Sequence, residues 1–442
     1  MKSLREIEAC FQGVIPGYLA TASSDGVPNI ALLSVVHLLD DRRVGLSYQF
    51  FRKSIANLKQ TQKAQLLLTD PTTLIEYRLN LRFVGVLEAG PVFERMDTQL
   101  AGIASQTGME DVFRLAGVVE CDVLDWERVG GVALEQSDRP SSSDALERLE
   151  RVAASIESAS DLEALLDRTF EALASQFGFD YGFMLLADGD EERLYTVASH
   201  GFGEARFGAE IAFGEGIYGN CAQRRQSCRY GSLSRSRLMS SAVARESAHS
   251  AHELPLPGLA EVESTLAVPV VHGDRCLGVL CLQHPQPAAF REQDERALSI
   301  VARHLAAMIH VLGAMQEQEQ ELQLSGRRGP LGSRALATRV KYYESDGSVF
   351  FDDEYLIKGV AGRVLWRVLS AYVNEQRDEF SNKEIRLASD IGLPAFRDNL
   401  EARLITLRRR LAERGASVRL ERAGRGRFRI EVERELLLER LP

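Results

Sequence analysis

AFRDNLEARLITLRRRLAERG occupies residues 395–415 and has the pattern of an amphipathic, arginine-rich helix. Its leucines recur with the i, i+4, i+7, i+11 spacing that places them in one narrow stripe on a helix. Basic and polar residues fill the other faces, and Gly415 stands where a helix ends. We therefore expect this helix to bury a single leucine face and to leave its arginines exposed to solvent or to a partner. The stripe consists of Leu400, Leu404, Leu407 and Leu411.

The neighbouring sequence predicts a small mixed domain around this helix. Residues 348–357 read as two short strands around an acidic turn, and apolar residues at helical spacing predict a helix over 360–374. Ser381 and Glu384 form a capping box, which starts a second, short helix. After residue 415, SVRLE and RFRIEV flank RAGRGR, and this arrangement predicts a hairpin with a basic, glycine-rich tip.

The C-terminal segment resembles the OmpR/PhoB-type winged-helix domain of response regulators. LEARLITLRRRL is similar to that family's recognition helix, and RAGRGRFRI is similar to its wing. A helix fits the major groove of DNA, and arginine pairs bidentately with guanine. Lys358-Gly359 departs from the family pattern, and no phospho-acceptor domain is recognised upstream. The resemblance implies base contacts from Asn399, Arg403 and Thr406, and backbone contacts from Arg408, Arg410, Arg422, Arg425 and Arg427.

Charge is distributed unevenly along the 442 residues. The formal net charge is −10, yet residues 326–442 hold 24 basic against 18 acidic residues. Such asymmetry suggests that the basic end meets a polyanion, and double-stranded DNA is the expected partner.

No apolar run reaches the roughly 18 residues that a membrane span needs, and the N-terminus does not read as a secretory signal. We expect a cytoplasmic protein without membrane contact.

Two stretches of low hydrophobicity divide the chain. They lie at 135–144 and 324–334 and are rich in Ser, Gly, Pro and charged residues, as linkers are. A prior of about 150 residues per domain also suggests about three domains. The expected domains therefore span 1–133, 144–324 and 335–442.

The middle segment resembles a GAF domain. Residues 201–233 are similar to the family's pocket segment, with a GxGxxG pattern at Gly214, Gly216 and Gly219, and residues 268–282 are similar to its closing hairpin. A lone GxGxxG is weak by itself, and here it does not lead from a strand into a dinucleotide-binding helix. The resemblance implies a module that senses an unknown small-molecule effector and has no enzymatic activity of its own.

Four cysteines lie in this segment, at Cys221, Cys228, Cys276 and Cys281. Thiolates suit zinc and iron–sulfur clusters, but the spacings here are not those of a CxxC pair. A metal or iron–sulfur site, a redox-active thiol pair and ordinary buried cysteines remain open. Cys276 and Cys281 are an odd number of residues apart on one predicted strand, so we expect them on opposite faces.

The end of the middle segment predicts a helix with a heptad pattern. Apolar residues alternate three and four apart over more than three heptads, which is typical of a coiled-coil seam and predicts a homodimer. The alternative is a single helix packed on its own domain. The seam positions are Leu298, Val301, Leu305, Met308, Leu312, Met315, Glu319 and Leu322.

The N-terminal segment alternates apolar and polar residues, as strands do, and resembles the FMN-binding split barrel of the pyridoxamine-phosphate-oxidase-like class. GYLATASSDGVPNI, SYQFFRKSIANLKQTQKAQLLL and LRFVGVLE carry the resemblance. It implies that Lys53 and Ser54 hold a flavin phosphate, with Arg52 and Arg82 as helpers. A flavin, another ligand such as haem, and a barrel without any cofactor all remain open.

The predicted fold class is multidomain α+β: a split β-barrel, a GAF α/β sandwich with long dimerisation helices, and a winged helix. The leading hypothesis is a ligand- or redox-responsive transcription regulator that binds DNA as a dimer and is not an enzyme. The alternative is a flavin-dependent oxidoreductase with appended regulatory modules, although no catalytic residues are recognised. A third hypothesis makes the C-terminal domain a protein-binding module.

Overall fold

The computed structural model describes most of the chain, and the three modules are built from those residues. The predicted linkers at 135–144 and 324–334 lie outside the described part, apart from residue 144. The described ranges are 2–12, 15–49, 52–71, 73–107, 114–131, 144–188, 192–203, 207–234, 256–320, 337–388, 391, 400–424 and 426–442.

The first module is a curled antiparallel sheet with two helices. Its strands follow the order β2-β1-β5-β6-β7-β4-β3, and alternate residues point into an apolar core that includes Leu19, Leu46, Leu66 and Leu79. The elements are a 3-10 helix Leu4–Gln12, β1 Gly17–Ala22, β2 Pro28–Leu33, β3 Val36–Leu38, β4 Arg43–Tyr48, α1 Arg52–Thr61, β5 Lys63–Thr69, β6 Glu76–Leu87, α2 Pro91–Thr107 and β7 Gly117–Gly130.

The second module is built on an antiparallel sheet of order β10-β9-β8-β13-β12-β11. Helices α3, α4 and α6 cover one face of this sheet, and α5 covers the other. Asp161 caps α4, since its carboxylate accepts a hydrogen bond from the Ala164 amide at 2.9 Å. The elements are α3 Ala145–Glu157, α4 Leu162–Phe177, β8 Tyr181–Asp188, β9 Arg193–His200, β10 Glu210–Ala212, α5 Gly216–Arg224, β11 Cys228–Tyr230, β12 Ser264–His272, β13 Arg275–His284 and α6 Glu292–Gln320.

Helix α6 forms where the heptad pattern predicts a helix, but its first apolar positions do not form an intermolecular seam. Leu298, Val301 and Leu305 are buried in the core that α3 and α4 share with the sheet. A side chain already buried in its own domain has no surface to offer a partner, so the coiled-coil prediction is wrong for this half of the helix. The side chains of Met315 and Glu319, and the whole of Leu322, lie outside the described part.

The third module contains the two short strands, three helices and hairpin expected from the sequence. Glu384 donates its amide hydrogen to the Ser381 hydroxyl at 3.1 Å, as the capping box predicts. Three strands were not predicted, and one of them, β20, pairs in parallel with β14. The elements are β14 Thr338–Tyr343, β15 Ser348–Phe351, β16 Glu354–Ile357, α7 Gly359–Glu375, β17 Glu379–Ser381, α8 Asn382–Leu387, α9 Leu400–Glu413, β18 Val418–Gly424, β19 Arg427–Val432 and β20 Leu436–Leu441.

The second module lies between the other two. Helix α2 of the first module packs on α5, while α9 of the third module packs on β9 and α4. The sheet of the second module is therefore covered on both faces by helices from its neighbours. Among the described helices, none combines the length and the apolar character needed to cross a bilayer.

Candidate functional site

Helix α9 has two buried faces. The four leucines of the predicted stripe lie in the core of the third module, as expected. On another face, Ala402 and Ile405 are buried in the core of the second module, together with side chains of α4, β8 and β9. The face that the sequence assigns to DNA is therefore packed against a protein surface.

Arg403 lies at the centre of this contact. Its guanidinium forms an ion pair with the carboxylate of Asp188, at the end of β8, and only 3% and 8% of the two side chains are exposed. The guanidinium also lies over the ring of Tyr195, 3.8 Å from the centroid. The carboxylate neutralises the charge of the buried guanidinium, and the aromatic ring packs against its flat face.

Arg409 and Arg408 continue the contact along α4. Arg409 pairs with Asp167 at 2.6 Å and donates to the Val197 carbonyl at 3.0 Å. Arg408 lies 3.2 Å from a carboxylate oxygen of Glu163. The acidic residues are one turn apart on α4, so they present a row of negative charge to the arginines of α9.

The hairpin contributes Arg422, which bridges two carboxylates. It pairs with Asp161 and, at 2.8 Å, with Glu401 of its own module. Burial opposes ionisation of Asp161, but hydrogen bonds from Arg422 and the Ala164 amide outweigh it and lower the pKa of the carboxyl. Burial likewise opposes the charge on Arg422, and Asp161 reverses that effect and raises the pKa of the guanidinium. Both groups therefore remain charged at neutral pH.

The other predicted DNA-binding residues occupy varied positions. Thr406 is buried and lies against Gly208 of the second module. Arg410 donates to the Leu356 carbonyl at 2.9 Å, and Arg427 pairs with Glu379 at 3.2 Å, both within the third module. Asn399 and Arg425 lie outside the described part.

The structure thus brings Arg403, Thr406, Arg408 and Arg422 together on the second module. Sequence reasoning missed their partners there, and a signal was available in the strongly acidic balance of the chain before residue 326. We call the carboxylates that pair with Arg403, Arg408, Arg409 and Arg422 the acidic surface: Asp161, Glu163, Asp167 and Asp188.

The four residues predicted to hold a flavin phosphate do not converge. Lys53 and Ser54 lie in the first turn of α1, whereas Arg82 pairs in register with Lys63, beyond the last turn of that helix. A helix of this length spans about 15 Å, which separates the two ends. Arg82 is moreover ion-paired with Asp122 at 2.6 Å.

Ser54 and its neighbours at the start of α1 fit a phosphate only in part. The Ser54 hydroxyl is buried and accepts a hydrogen bond from the Asn29 amide at 2.9 Å. Arg52 and Lys53 are exposed beside it and supply positive charge at a helix N-terminus. Arg82 lies near the other end of α1, so the phosphate site at Arg52, Lys53 and Ser54 stays a prediction to which Arg82 of the same chain adds no support.

The four cysteines of the second module meet under α5. Cys228 and Cys281 flank Ala267 in the same register row of the sheet, and Cys221 covers them from α5. Cys276 packs against the same cluster, so the expectation that Cys276 and Cys281 face opposite sides is wrong. The reason is a β-bulge, since Val271 pairs with Cys276 and Val270 with Gly278.

Burial decides the chemistry of these thiols. It raises the pKa of Cys276 to about 11 and the pKa values of Cys221 and Cys281 well above the usual range, with neighbouring thiols adding to the shift. The thiolate is the form that attacks disulfides and binds metals. Among the described residues, no group of histidine, cysteine and carboxylate side chains is arranged to hold a metal ion.

We expect the thiols of the folded protein to react slowly with Ellman's reagent at neutral pH. Cys276, the one partly exposed thiol of the six, should react first, and the other five only after unfolding. The physical reason is that burial excludes the reagent and keeps the thiols protonated. The measurement is the absorbance of released thionitrobenzoate with and without guanidinium. Rapid labelling of Cys221 or Cys228 in the folded protein would instead support a redox-active pair.

The first module contacts the second through α5 and β11. The Tyr230 hydroxyl donates to the Gln99 carbonyl at 2.7 Å, and the Gly216 amide donates to the Ser105 hydroxyl at 2.8 Å. Arg224 of α5 forms an ion pair with Asp97 of α2. The helix that covers the cysteine cluster is thus held on its outer side by the first module.

Comparisons with known proteins identify the second module. Residues 159–310 match the GAF domain family. The GAF domain of a phosphoenolpyruvate-protein phosphotransferase from Acinetobacter is 25% identical, with a TM-score of 0.33 over 40% of this chain and 99% of that chain. A free methionine-R-sulfoxide reductase from Neisseria meningitidis, solved with its substrate, is 22% identical, with a TM-score of 0.32 over 41% and 98% of the two chains.

The first module also has similar solved structures. An FMN-binding protein from Syntrophomonas wolfei subsp. wolfei is 23% identical, with a TM-score of 0.24 over 30% of this chain and 90% of that chain. No curated protein matches the chain. The chain therefore contains a GAF domain at residues 159–310, preceded by a curled seven-stranded sheet and followed by a mixed module of helices and hairpins.

Proposed function

We propose that the protein is a ligand- or redox-responsive transcription regulator that binds duplex DNA through its third module. The observation that carries the proposal is α9 itself. One face of this helix is anchored by four leucines, and the remaining faces carry Arg403, Thr406, Arg408 and Arg409. A helix anchored in this way can enter the major groove with its arginines toward the bases.

The elements around α9 support the same proposal. Three helices followed by the β18–β19 hairpin have the order of a winged-helix domain, in which the hairpin lies beside the recognition helix. The hairpin carries Arg422 and Arg427, and the stretch from 397 to 429 contains eleven arginines and four acidic residues. Such an excess neutralises several phosphates of the DNA backbone.

The GAF domain supplies the proposed sensing function. An organic effector is the favoured input, because burial keeps the thiols that a redox signal would need protonated. Paired modules read paired half-sites, so we propose that the protein binds DNA as a homodimer in the cytoplasm. The dimer contact must lie outside the buried half of α6. Exposed apolar side chains are available on the opposite side of that helix, at Ile300 and Val311.

No observation favours the alternative of a flavin-dependent oxidoreductase. Such an enzyme needs a flavin held by its phosphate, and Lys53 and Arg82 lie at opposite ends of α1. If FMN binds at the start of α1, Arg52 and Lys53 are the residues that would hold its phosphate, and the flavin would supply redox chemistry.

A DNA titration tests the proposal. We expect the full chain to bind a fluorescent duplex from the promoter region of its own gene, with two chains per duplex. Affinity should fall about 10³-fold between 50 and 200 mM salt if six or more phosphates are contacted. Fluorescence anisotropy measures both quantities. The absence of binding to this DNA at low salt would rule the proposal out.

Charge reversal on α9 sharpens that test. The double variant Arg403→Glu/Arg408→Glu should bind DNA about 100-fold more weakly while its oligomeric state is unchanged. The matched control is Arg151→Glu, because Arg151 is an exposed arginine on α3, paired with Glu147 one turn away. Equal DNA affinity of the double variant and the control would favour a protein-binding role for the third module.

A further inference from the structure

The side chains proposed to read DNA are the same ones that the GAF domain covers. Arg403 and Thr406 are almost fully buried, and neither is accessible to a duplex in this arrangement. Arg408 and Arg422 pair with Glu163 and Asp161 of the acidic surface. A helix must insert its outer face into the groove to contact bases, so a helix docked in this way cannot do so.

We propose that the GAF domain holds the third module in a closed state in which the acidic surface occupies the DNA-reading face of α9. Carboxylates take the places of phosphates, and Tyr195 takes the place of a base against the Arg403 guanidinium. DNA and the acidic surface then compete for the same side chains. This inference rests on the proposed function for its DNA step, whereas the docking itself does not.

The contact has features of an interface that opens. Ala402 and Ile405 supply apolar burial, which favours docking. However, the Thr406 hydroxyl and Nε of Arg408 are buried with no hydrogen-bond partner among the described residues. Such groups cost free energy in the docked state and regain partners when the helix is released to water or DNA.

The packing is also incomplete at the hairpin end of the contact. A cavity of about 270 Å³ lies between Asp161 of the GAF domain and Arg408, Leu420 and Phe428 of the third module. This cavity is partly open to solvent, so water reaches the contact from the hairpin side. The interface is thus anchored at Arg403 and loosely filled at the hairpin, which is the arrangement expected of a releasable contact.

The experiment weakens docking from the GAF side alone, so that no DNA-reading residue is changed. In Asp188→Asn, the docked Arg403 loses its ionised partner, while the released helix is unaffected. Because the apparent dissociation constant is inversely proportional to the open population, DNA affinity should rise about tenfold or more. Small-angle X-ray scattering of the full chain should show a larger radius of gyration without any DNA present.

A second variant keeps the inference testable if Asp188→Asn fails to fold, because Asp188 is buried in the sheet. Glu163→Gln/Asp167→Asn changes only partly exposed carboxylates of α4, and we expect a two- to fivefold gain in DNA affinity with a smaller expansion. The matched control is Glu171→Gln, one turn further along the same helix and exposed. The control should match the unaltered chain in both measurements.

The outcomes separate the inference from the proposed function. Tighter DNA binding together with expansion supports the closed state. Unchanged affinity and unchanged dimensions in both GAF-side variants overturn it, while the DNA-binding function stands. Expansion without DNA binding by any variant supports the docking but overturns the proposed function, and with it the competition.

Discussion

Arg403→Ala is expected to lower the free energy of unfolding of the closed form by about 3–5 kcal/mol, as the removal of one member of a buried ion pair does. The substitution leaves the Asp188 carboxylate buried without its guanidinium and removes the contact between that guanidinium and the Tyr195 ring. Release of α9 rehydrates Asp188, so the measured loss is limited by the free energy of docking. Urea denaturation of the full chain, followed by circular dichroism, measures it.

The pairing can be tested by removing the second charge. Arg403→Ala/Asp188→Asn should recover part of the loss, because no buried carboxylate is then left unpaired. Arg419→Ala is the matched control: Arg419 is ion-paired with Glu433, and the side chains are 64% and 55% exposed. Its effect should stay below about 1 kcal/mol. A loss no larger for Arg403→Ala than for Arg419→Ala would contradict the buried contact.

Gly278→Ala is expected to destabilise the GAF domain by about 3 kcal/mol. Gly278 follows the β-bulge in β13, and a Cβ atom there would lie 2.1 Å from the carbonyl oxygen of Leu185 on β8. The two central strands would have to separate, because a backbone oxygen cannot swing away as a side chain does. Thermal denaturation monitored by circular dichroism should show a lower transition temperature.

Gly203→Ala is the control for this substitution, since a Cβ atom at Gly203 meets nothing within 4 Å. Its stability should equal that of the unaltered chain. Gly278→Ala should also speed the reaction of Cys276 and Cys281 with Ellman's reagent, because the bulge places both thiols under α5. A stable Gly278→Ala protein with slowly reacting thiols would show that the strands tolerate a side chain at this position.

Sequence periodicity predicted the local structure of the third module well. The leucine stripe of α9 and the capping box at Ser381 report interactions with near neighbours, which a sequence displays directly. The second buried face was missed, although Ala402 and Ile405 interrupt the basic surface of the helix. An apolar residue among arginines indicates a second contact, but the pattern does not say which surface provides it.

Long-range pairing limits what periodicity can predict. Apolar residues do recur at heptad spacing in α6. However, the pattern is the same whether Leu298 and Leu305 face a partner chain or α3 and α4 of their own domain. The faces of Cys276 and Cys281 were predicted wrongly because a single bulge changes the alternation, and the register that creates it depends on the neighbouring strand. For Arg82, strand pairing likewise decides its distance from Lys53.

The GAF sheet is covered by α2 and α5 on one side and by α4 and α9 on the other. Suppose that an effector bound beneath α5 weakens the docking of α9 and so raises the affinity for DNA by some factor. DNA bound to α9 must then raise the affinity for the effector by the same factor. Under the proposed function, thermodynamic reciprocity makes the duplex that α9 binds a reagent for finding the effector. We expect compounds that bind the closed protein too weakly to detect to gain affinity when the screen is run with saturating DNA.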